Sequence, residues 1–333
     1  MRVAINGFGR IGRLVFRIME ECDDLEVVAI NNLKEAKQLA YLLKYDTSHR
    51  KYRPDEIGYD DNHIIVGNKK ILCLAMEDPK DLPWKELDID MVFECTGKFT
   101  SEEDASKHIE AGAKKVVVSA PSKGNVKTIV YGVNEEILDG SEKIISAASC
   151  TTNCLAPMLK VINDNFGIKR GYMTTVHAYT NDQSVLDVSH KKGIESRRGR
   201  AAAENIIPTS TGAASAIGLV IPELEGRLKG SAMRVPVPDG SVVDLVLELD
   251  RTVSVPLINN VFIKAKSEVL DATYDPIVSS DVIGDSHGGV VDLLLTDVLE
   301  VDGKQLVKIV GWYDNEMGYS HQMVRCARYF GNL

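Results

Sequence analysis

A chain of 333 residues exceeds the ~250–300 residues that a single hydrophobic core usually serves, so two domains are expected. It is 44% hydrophobic and 26% charged, the composition of a soluble globular protein, and its formal charge of −9 argues against general nucleic-acid binding while leaving room for a local basic pocket. No apolar run reaches the ~18 residues of a membrane span, no signal-peptide pattern precedes Val3, and six cysteines over this length make neither a disulfide framework nor a zinc cluster, so a reducing, cytoplasmic setting without membrane or metal is expected.

In chain order, Arg2-Val3-Ala4-Ile5-Asn6 reads as a short strand and runs straight into Gly7-Phe8-Gly9-Arg10-Ile11-Gly12. Leu14, Val15, Ile18 and Met19 then repeat at helical spacing, and Leu25-Glu26-Val27-Val28-Ala29-Ile30 reads as a second strand. A lone G-x-G-x-x-G is often only a loop. Set between strand and helix within about thirty residues, it is a dinucleotide fingerprint, with Gly7, Gly9 and Gly12 allowing a tight turn and close approach of a pyrophosphate to the helix start. The residue after the second strand, Asn32, keeps hydrogen bonding to a ribose but lacks the negative charge that repels a 2′-phosphate. The remainder of this half alternates: a helix near 38–43, a hairpin over 63–74, strands at 90–95 and 115–119, and between them a helix over 101–111 with Ser101 and Asp104 placed to cap it. Repeated β-α-β order predicts a parallel, doubly wound sheet.

The centre of the chain is Ser149-Cys150-Thr151-Thr152-Asn153-Cys154. It follows a strand end at 143–148 and precedes apolar positions Leu155, Met158, Leu159, Val161, Ile162 and Phe166 at helical spacing, with Ser, Thr and Asn as cap residues before them. Cys150 is therefore expected at a strand-to-helix junction, where the helix N-terminus favours a thiolate. A second strand-like run, Tyr172-Met173-Thr174-Thr175-Val176, ends at His177. Isolated cysteines are mostly small core residues, as is expected of Cys154, but a Cys and a His at two strand ends make a recurring activated nucleophile. Beyond this point, runs at 235–237, 242–249, 290–295 and 306–312 predict a mostly antiparallel sheet with helices on one face. The polar stretch 180–200, carrying Lys191, Lys192, Arg197, Arg198 and Arg200, lacks periodicity; loops this long are usually functional, although a charge run is also what a solvated surface looks like. Pro208-Thr209-Ser210-Thr211-Gly212-Ala213-Ala214 suits either a phosphate at a helix start or an ordinary cap, and Arg234 before Val235-Pro236-Val237 is placed to face a pocket.

The runs INGFGRIGR, YLLKYDTSH, SASCTTNCLAP, TTVHAYTNDQ, IIPTSTGAA, MRVPVP and WYDNEMGYS, in that order over essentially the whole chain, resemble the phosphorylating glyceraldehyde-3-phosphate dehydrogenase family. The resemblance implies an NAD(P)-binding domain over 1–149 with a C-terminal helix, 315–333, packing back on it, and a catalytic domain over 150–314 that includes the 180–200 loop. It implies that Arg10, Ile11, Asn32, Thr96, Gly97 and Ser119 line the cofactor and that Asn315 holds the nicotinamide amide. Thr180 and Arg234 are assigned to the substrate's phosphate, and Ser149, Thr151, Arg197, Thr211 and Gly212 to the inorganic one. NAD is the first cofactor expected. NADP stays open, because Asn32 stands where NAD-preferring relatives usually have Asp, Val188-Ser189 where they commonly have Leu-Pro, and Glu77 where a basic residue is usual. The loop segment 190–196 is longer than in typical bacterial relatives. The family implies a homotetramer.

The implied reaction is oxidation of glyceraldehyde 3-phosphate through a Cys150 thiohemiacetal and thioester, with His177 as base and inorganic phosphate releasing 1,3-bisphosphoglycerate, in glycolysis or gluconeogenesis. Erythrose-4-phosphate dehydrogenase is the nearest alternative, disfavoured by the intact His177-Ala178-Tyr179-Thr180 and Ser210-Thr211-Gly212-Ala213-Ala214. A binding or adhesion protein on the same scaffold is the alternative of another class.

Overall fold

A computed structural model describes residues 1–190, 193 and 195–333; Lys191, Lys192 and Ile194 of the basic loop lie outside the described residues. The chain divides into two compact units, Met1–Ser149 with Ser320–Leu333, and Cys150–Tyr319.

The first unit contains β1 (Arg2–Asn6), α1 (Arg10–Met19), β2 (Glu26–Asn31), α2 (Ala36–Lys44), β3 (Ile57–Tyr59), β4 (His63–Val66), β5 (Lys69–Leu74), β6 (Met91–Glu94), α3 (Glu102–Glu110), β7 (Lys115–Val118), β8 (Lys127–Thr128) and β9 (Ile144–Ser146). They form one sheet in the order β3-β4-β5-β2-β1-β6-β7-β9-β8, parallel except for the antiparallel β3-β4-β5 edge. The central strands are apolar in their middles: Val3, Ala4, Ile5, Val92 and Phe93 are fully buried, as parallel strands covered on both faces require. Asn6 stands in register with Asn31 on one side and Glu94 on the other, so polar groups gather at the C-terminal ends of the strands. That end of a doubly wound sheet is where ligands bind. Ser101 caps α3 as expected, its Oγ accepting from the Asp104 N–H at 3.1 Å.

The second unit holds α4 (Cys150–Phe166), β10 (Ile168–Ala178), β11 (Ile207–Thr209), α5 (Ala213–Val220), β12 (Leu228–Val235), β13 (Ser241–Leu249), α6 (Val255–Lys264), β14 (Leu270–Thr273), β15 (Gly289–Asp292), β16 (Asp297–Val301) and β17 (Lys304–Tyr313); α7 (Met317–Gly331) begins in it and ends in the first unit. The sheet runs β11-β12-β10-β13-β17-β15-β14 with β16 on β17; β10/β12 and β14/β15 are parallel and the other pairs antiparallel. Helix α4 lies so close to this sheet that a Cβ at Gly289 would come within 2.8 Å of the Cys154 sulfur, which is fully buried. On β10, Met173, Thr175 and His177 point inward while Tyr172 faces out.

The structure corrects several sequence expectations. Helix α4 begins at Cys150 itself, so Thr151, Thr152 and Asn153 are helical and buried rather than cap residues ahead of the helix. The strand expected at 235–237 lies earlier, at Leu228–Val235, where pairing with β10 and β11 overrides the poor alternation of Lys229-Gly230-Ser231. Pro208 and Thr209 belong to β11, and 293–295 follow β15 as a turn.

Candidate active site

In the second unit, Cys150 opens α4 and His177 is the penultimate residue of β10. Their side chains meet, with Sγ 3.4 Å from Nε2. His177 is buried, and its Nδ1 lies 2.7 Å from the Ala178 carbonyl oxygen. A carbonyl only accepts, so Nδ1 carries the proton and the Nε2 lone pair faces the thiol. Parallel pairing of β10 with β12 sets Arg234 beside His177. The Arg234 Nη1 donates to the same Ala178 oxygen at 3.0 Å and to the Thr180 hydroxyl at 2.9 Å. Its 3.1 Å approach to Nδ1 is therefore two donors sharing one carbonyl.

Burial dominates the electrostatics. It pushes the Cys150 thiol up, against the opposing charge of Arg234 and the hydrogen bonds at the helix start. The helix start lowers the thiol, as expected from sequence, and burial works against it. Burial and then Arg234 hold His177 down to about 3. Burial thus disfavours charge on both partners, and the Nε2 lone pair faces the thiol, placed to accept its proton as it reacts.

Tyr313, at the end of β17, braces the pair. Its hydroxyl lies 3.0 Å from Thr151 Oγ1 and 2.9 Å from Thr175 Oγ1, and its ring meets the His177 ring edge-on at 5.9 Å. Asn315 is tied through β13 to the end of β10: its Oδ1 accepts from the Ser241 hydroxyl at 2.6 Å, and the Ser241 Oγ accepts from the Ala178 N–H at 3.0 Å. The Thr180 hydroxyl and Arg198 both donate to Asp182, and the Arg198 Nε donates to Thr209 Oγ1 at 3.1 Å. Burial raises the Asp182 carboxyl, but these donors outweigh it and hold it below the usual range. Arg198, not the exposed Arg197 expected from sequence, is the loop arginine turned to this cluster. Thr211 Oγ1 accepts from the Ala213 N–H at 3.2 Å, and Gly212, ahead of α5, has open space where a Cβ would point. Sequence reasoning gave no site role to Arg198, Asp182, Tyr313, Thr175 or Ser241; the aromatic-polar run Trp312-Tyr313-Asp314-Asn315 was the one available signal for Tyr313.

In the first unit the three glycines of the fingerprint do different work. Gly7 has φ 94°, and a Cβ there would sit 2.7 Å from the Thr96 nitrogen. A Cβ on Gly12 would collide with the Gly7 carbonyl. Gly9 precedes α1 with no side-chain cap and nothing within 4 Å of its would-be Cβ. That leaves an uncapped helix start and a cleared approach, which fits a dinucleotide pyrophosphate. Gly97 (φ 68°) is also open on its Cβ side. Arg10 pairs with Asp46, and Ile11, Asn32, Thr96 and Ser119 are half-buried around these strand ends. Ser149 is the half-buried last residue of this unit's main segment.

A dinucleotide-type sheet in one unit and a cysteine facing a histidine base in the other define an NAD-dependent oxidoreductase. Residues 1–102 match the NAD binding domain of glyceraldehyde 3-phosphate dehydrogenase, and residues 149–315 match its C-terminal domain. Proteins called glyceraldehyde-3-phosphate dehydrogenase from Clostridium pasteurianum and Clostridium acetobutylicum are 56% and 54% identical to the chain over 332 residues, covering 100% of it and 99% of each relative. One from Streptococcus pyogenes is 51% identical over 334 residues with the same coverage. The chain belongs to the glyceraldehyde-3-phosphate dehydrogenase family.

Proposed function

We propose that the protein oxidises glyceraldehyde 3-phosphate to 1,3-bisphosphoglycerate, using NAD and inorganic phosphate. The observation that carries this reading is the Cys150–His177 pair at 3.4 Å with Arg234 alongside. Cys150 Sγ attacks the aldehyde carbon as His177 Nε2 takes the thiol proton. The Cys150 backbone N–H at the start of α4 and the imidazolium then stabilise the oxyanion of the thiohemiacetal. Once protonated, the thiohemiacetal hydroxyl returns its proton to His177 as the carbon is oxidised, which leaves the acyl group on Sγ as a thioester. NAD, when bound, supplies the hydride acceptor. Gly7, Gly9 and Gly12 with Arg10, Ile11, Asn32, Thr96, Gly97 and Ser119 hold it, and Asn315 orients the nicotinamide amide. Inorganic phosphate cleaves the thioester.

Thr180 and Arg234 are assigned to the substrate's phosphate. Ser149, Thr151, Thr211 and Gly212 are assigned to the inorganic one, and the geometry of the Asp182 cluster favours Arg198 over Arg197 as their loop partner. In this reading 1–149 with the C-terminal helix is the NAD(P)-binding domain and 150–314 the catalytic domain. The assembly is a homotetramer in the cytoplasm. A row of exposed apolar side chains on the outer face of the second sheet, Tyr172, Val246, Leu299 and Leu306, supports burial against other subunits.

NADP use is the second reading, carried by Asn32, whose amide presents no charge against a 2′-phosphate. Initial rates with glyceraldehyde 3-phosphate, phosphate and either cofactor test both. Phosphate-dependent NADH formation supports the main reading, faster reduction of NADP supports the second, and activity with erythrose 4-phosphate alone overturns both.

A further inference from the structure

Glu94, the last residue of β6, and His108, on α3, are both buried, and the proposed chemistry uses neither. Burying a carboxylate is costly unless every oxygen is satisfied. Here both are. Glu94 Oε2 accepts from Asn6 Nδ2 at 2.6 Å and from His108 Nε2 at 3.0 Å. Its Oε1 accepts from the Thr96 N–H at 2.8 Å and from the Thr96 hydroxyl. The Trp84 indole N–H lies 3.0 Å from His108 Nδ1. An indole only donates, so Nδ1 is the acceptor and the proton sits on Nε2, aimed at Glu94.

Beyond Trp84, which is buried in the apolar core, the branches through Glu94 end on the strand-end loops. Thr96 Oγ1 accepts from the Lys98 N–H at 3.0 Å, closing the turn around Gly97. The Thr96 backbone nitrogen also fills the space a Cβ would need at Gly7. Asn6 Oδ1 accepts from Asn31 Nδ2 at 2.8 Å, and the Asn31 amide brackets Met76, donating to its carbonyl and accepting from its N–H at 2.9 Å each. An apolar core would stabilise the sheet without such groups. Their placement at the C-terminal ends of three parallel strands matches the place where a dinucleotide lies.

We propose that His108 is a positioning residue for the dinucleotide site: the Trp84–His108 pair fixes Glu94, and Glu94 sets the Thr96–Gly97 turn and the Asn6–Asn31 strand ends against the Gly7 loop. The proposal rests on the assignment of Thr96 and Gly97 to the cofactor.

The test is calorimetric titration of NAD into the intact protein, together with KM for NAD and kcat. His108→Phe keeps a buried ring but neither donates nor accepts; it should raise Kd and KM for NAD about tenfold while kcat at saturating NAD changes less than about twofold. His108→Gln, whose amide oxygen accepts from Trp84 and whose NH2 donates to Glu94, should return Kd to within about threefold of the parent. Glu94→Gln conserves volume but sets an NH2 against other donors whichever way it turns, and should also weaken NAD about tenfold; it provides the readout if His108→Phe does not fold. Unchanged Kd in folded His108→Phe, or in Glu94→Gln, overturns the proposal even if melting temperature falls. Gly9→Val places side-chain atoms in the cleared approach above α1; if it too leaves NAD binding unchanged, the cofactor placement has failed and the proposal with it.

Discussion

Replacing His177 by asparagine removes the only base facing the Cys150 sulfur at 3.4 Å among the described residues. The thiol is then left with burial, which raises it from an ordinary value of 9.0, and with the partly compensating charge of Arg234. A positioned general base contributes about 10²–10⁴ in rate, equivalent to about 3–5 kcal/mol of barrier. Acylation of Cys150 should slow by that factor, with NAD affinity retained because His177 is not among the residues assigned to the cofactor. Rapid-quench measurement of the first turnover reads acylation, and iodoacetamide alkylation across pH 6–10 reads the thiol. Alkylation of the variant should move to higher pH than that of the parent, in which the imidazole can take the thiol proton. An unchanged alkylation profile, or a loss in acylation of less than tenfold, would refute the assignment of His177 as base.

The same histidine makes stability pH-dependent. Its folded pKa is held to about 3, so on unfolding it gains a proton at its ordinary value near 6.5; stability is present above that value and falls as pH drops toward 3. Between pH 7 and pH 5 the parent should lose about 2 kcal/mol more than His177→Asn does, measured by urea unfolding at the two pH values. Tyr313→Phe deletes the hydroxyl shared by Thr151 and Thr175; two neutral hydrogen bonds correspond to about 2 kcal/mol and a melting temperature roughly 4–8 °C lower by calorimetry. Asn32→Asp restores a negative charge at the end of β2 and should lower kcat/KM with NADP relative to NAD by about tenfold; no change in the ratio would remove Asn32 from cofactor selection.

Much of the first unit is legible in sequence because its signals are local. The Gly7–Gly12 turn, the apolar spacing of α1 and the Ser101 cap each depend on residues a few positions apart, and the Cys150 and His177 positions follow from strand ends. What was not legible depends on distant packing. The buried Thr151, Thr152 and Asn153 look like cap residues until the second sheet covers them. Strand β12 is masked by Lys229-Gly230-Ser231 and exists because β10 and β11 pair with it. Arg197 and Arg198 are neighbours on a loop without periodicity, and it takes the folded contacts with Asp182 and Thr209 to distinguish them. His108 reads as one more polar residue of an exposed helix; Trp84 and Glu94, far from it in the chain, make it part of a network. The burial that opposes the helix start at Cys150 is likewise a property of the folded unit.

In the proposed reaction, oxidation proceeds through an acyl group held on the Cys150 sulfur. Mixing the protein with NAD and glyceraldehyde 3-phosphate without phosphate, quenching in acid and weighing the Cys150 peptide tests it directly. One phosphoglyceroyl group on that peptide, a matching burst of NADH, and loss of both in Cys150→Ser with NAD binding retained are expected. A burst without the adduct, or a burst that survives in Cys150→Ser, would contradict it.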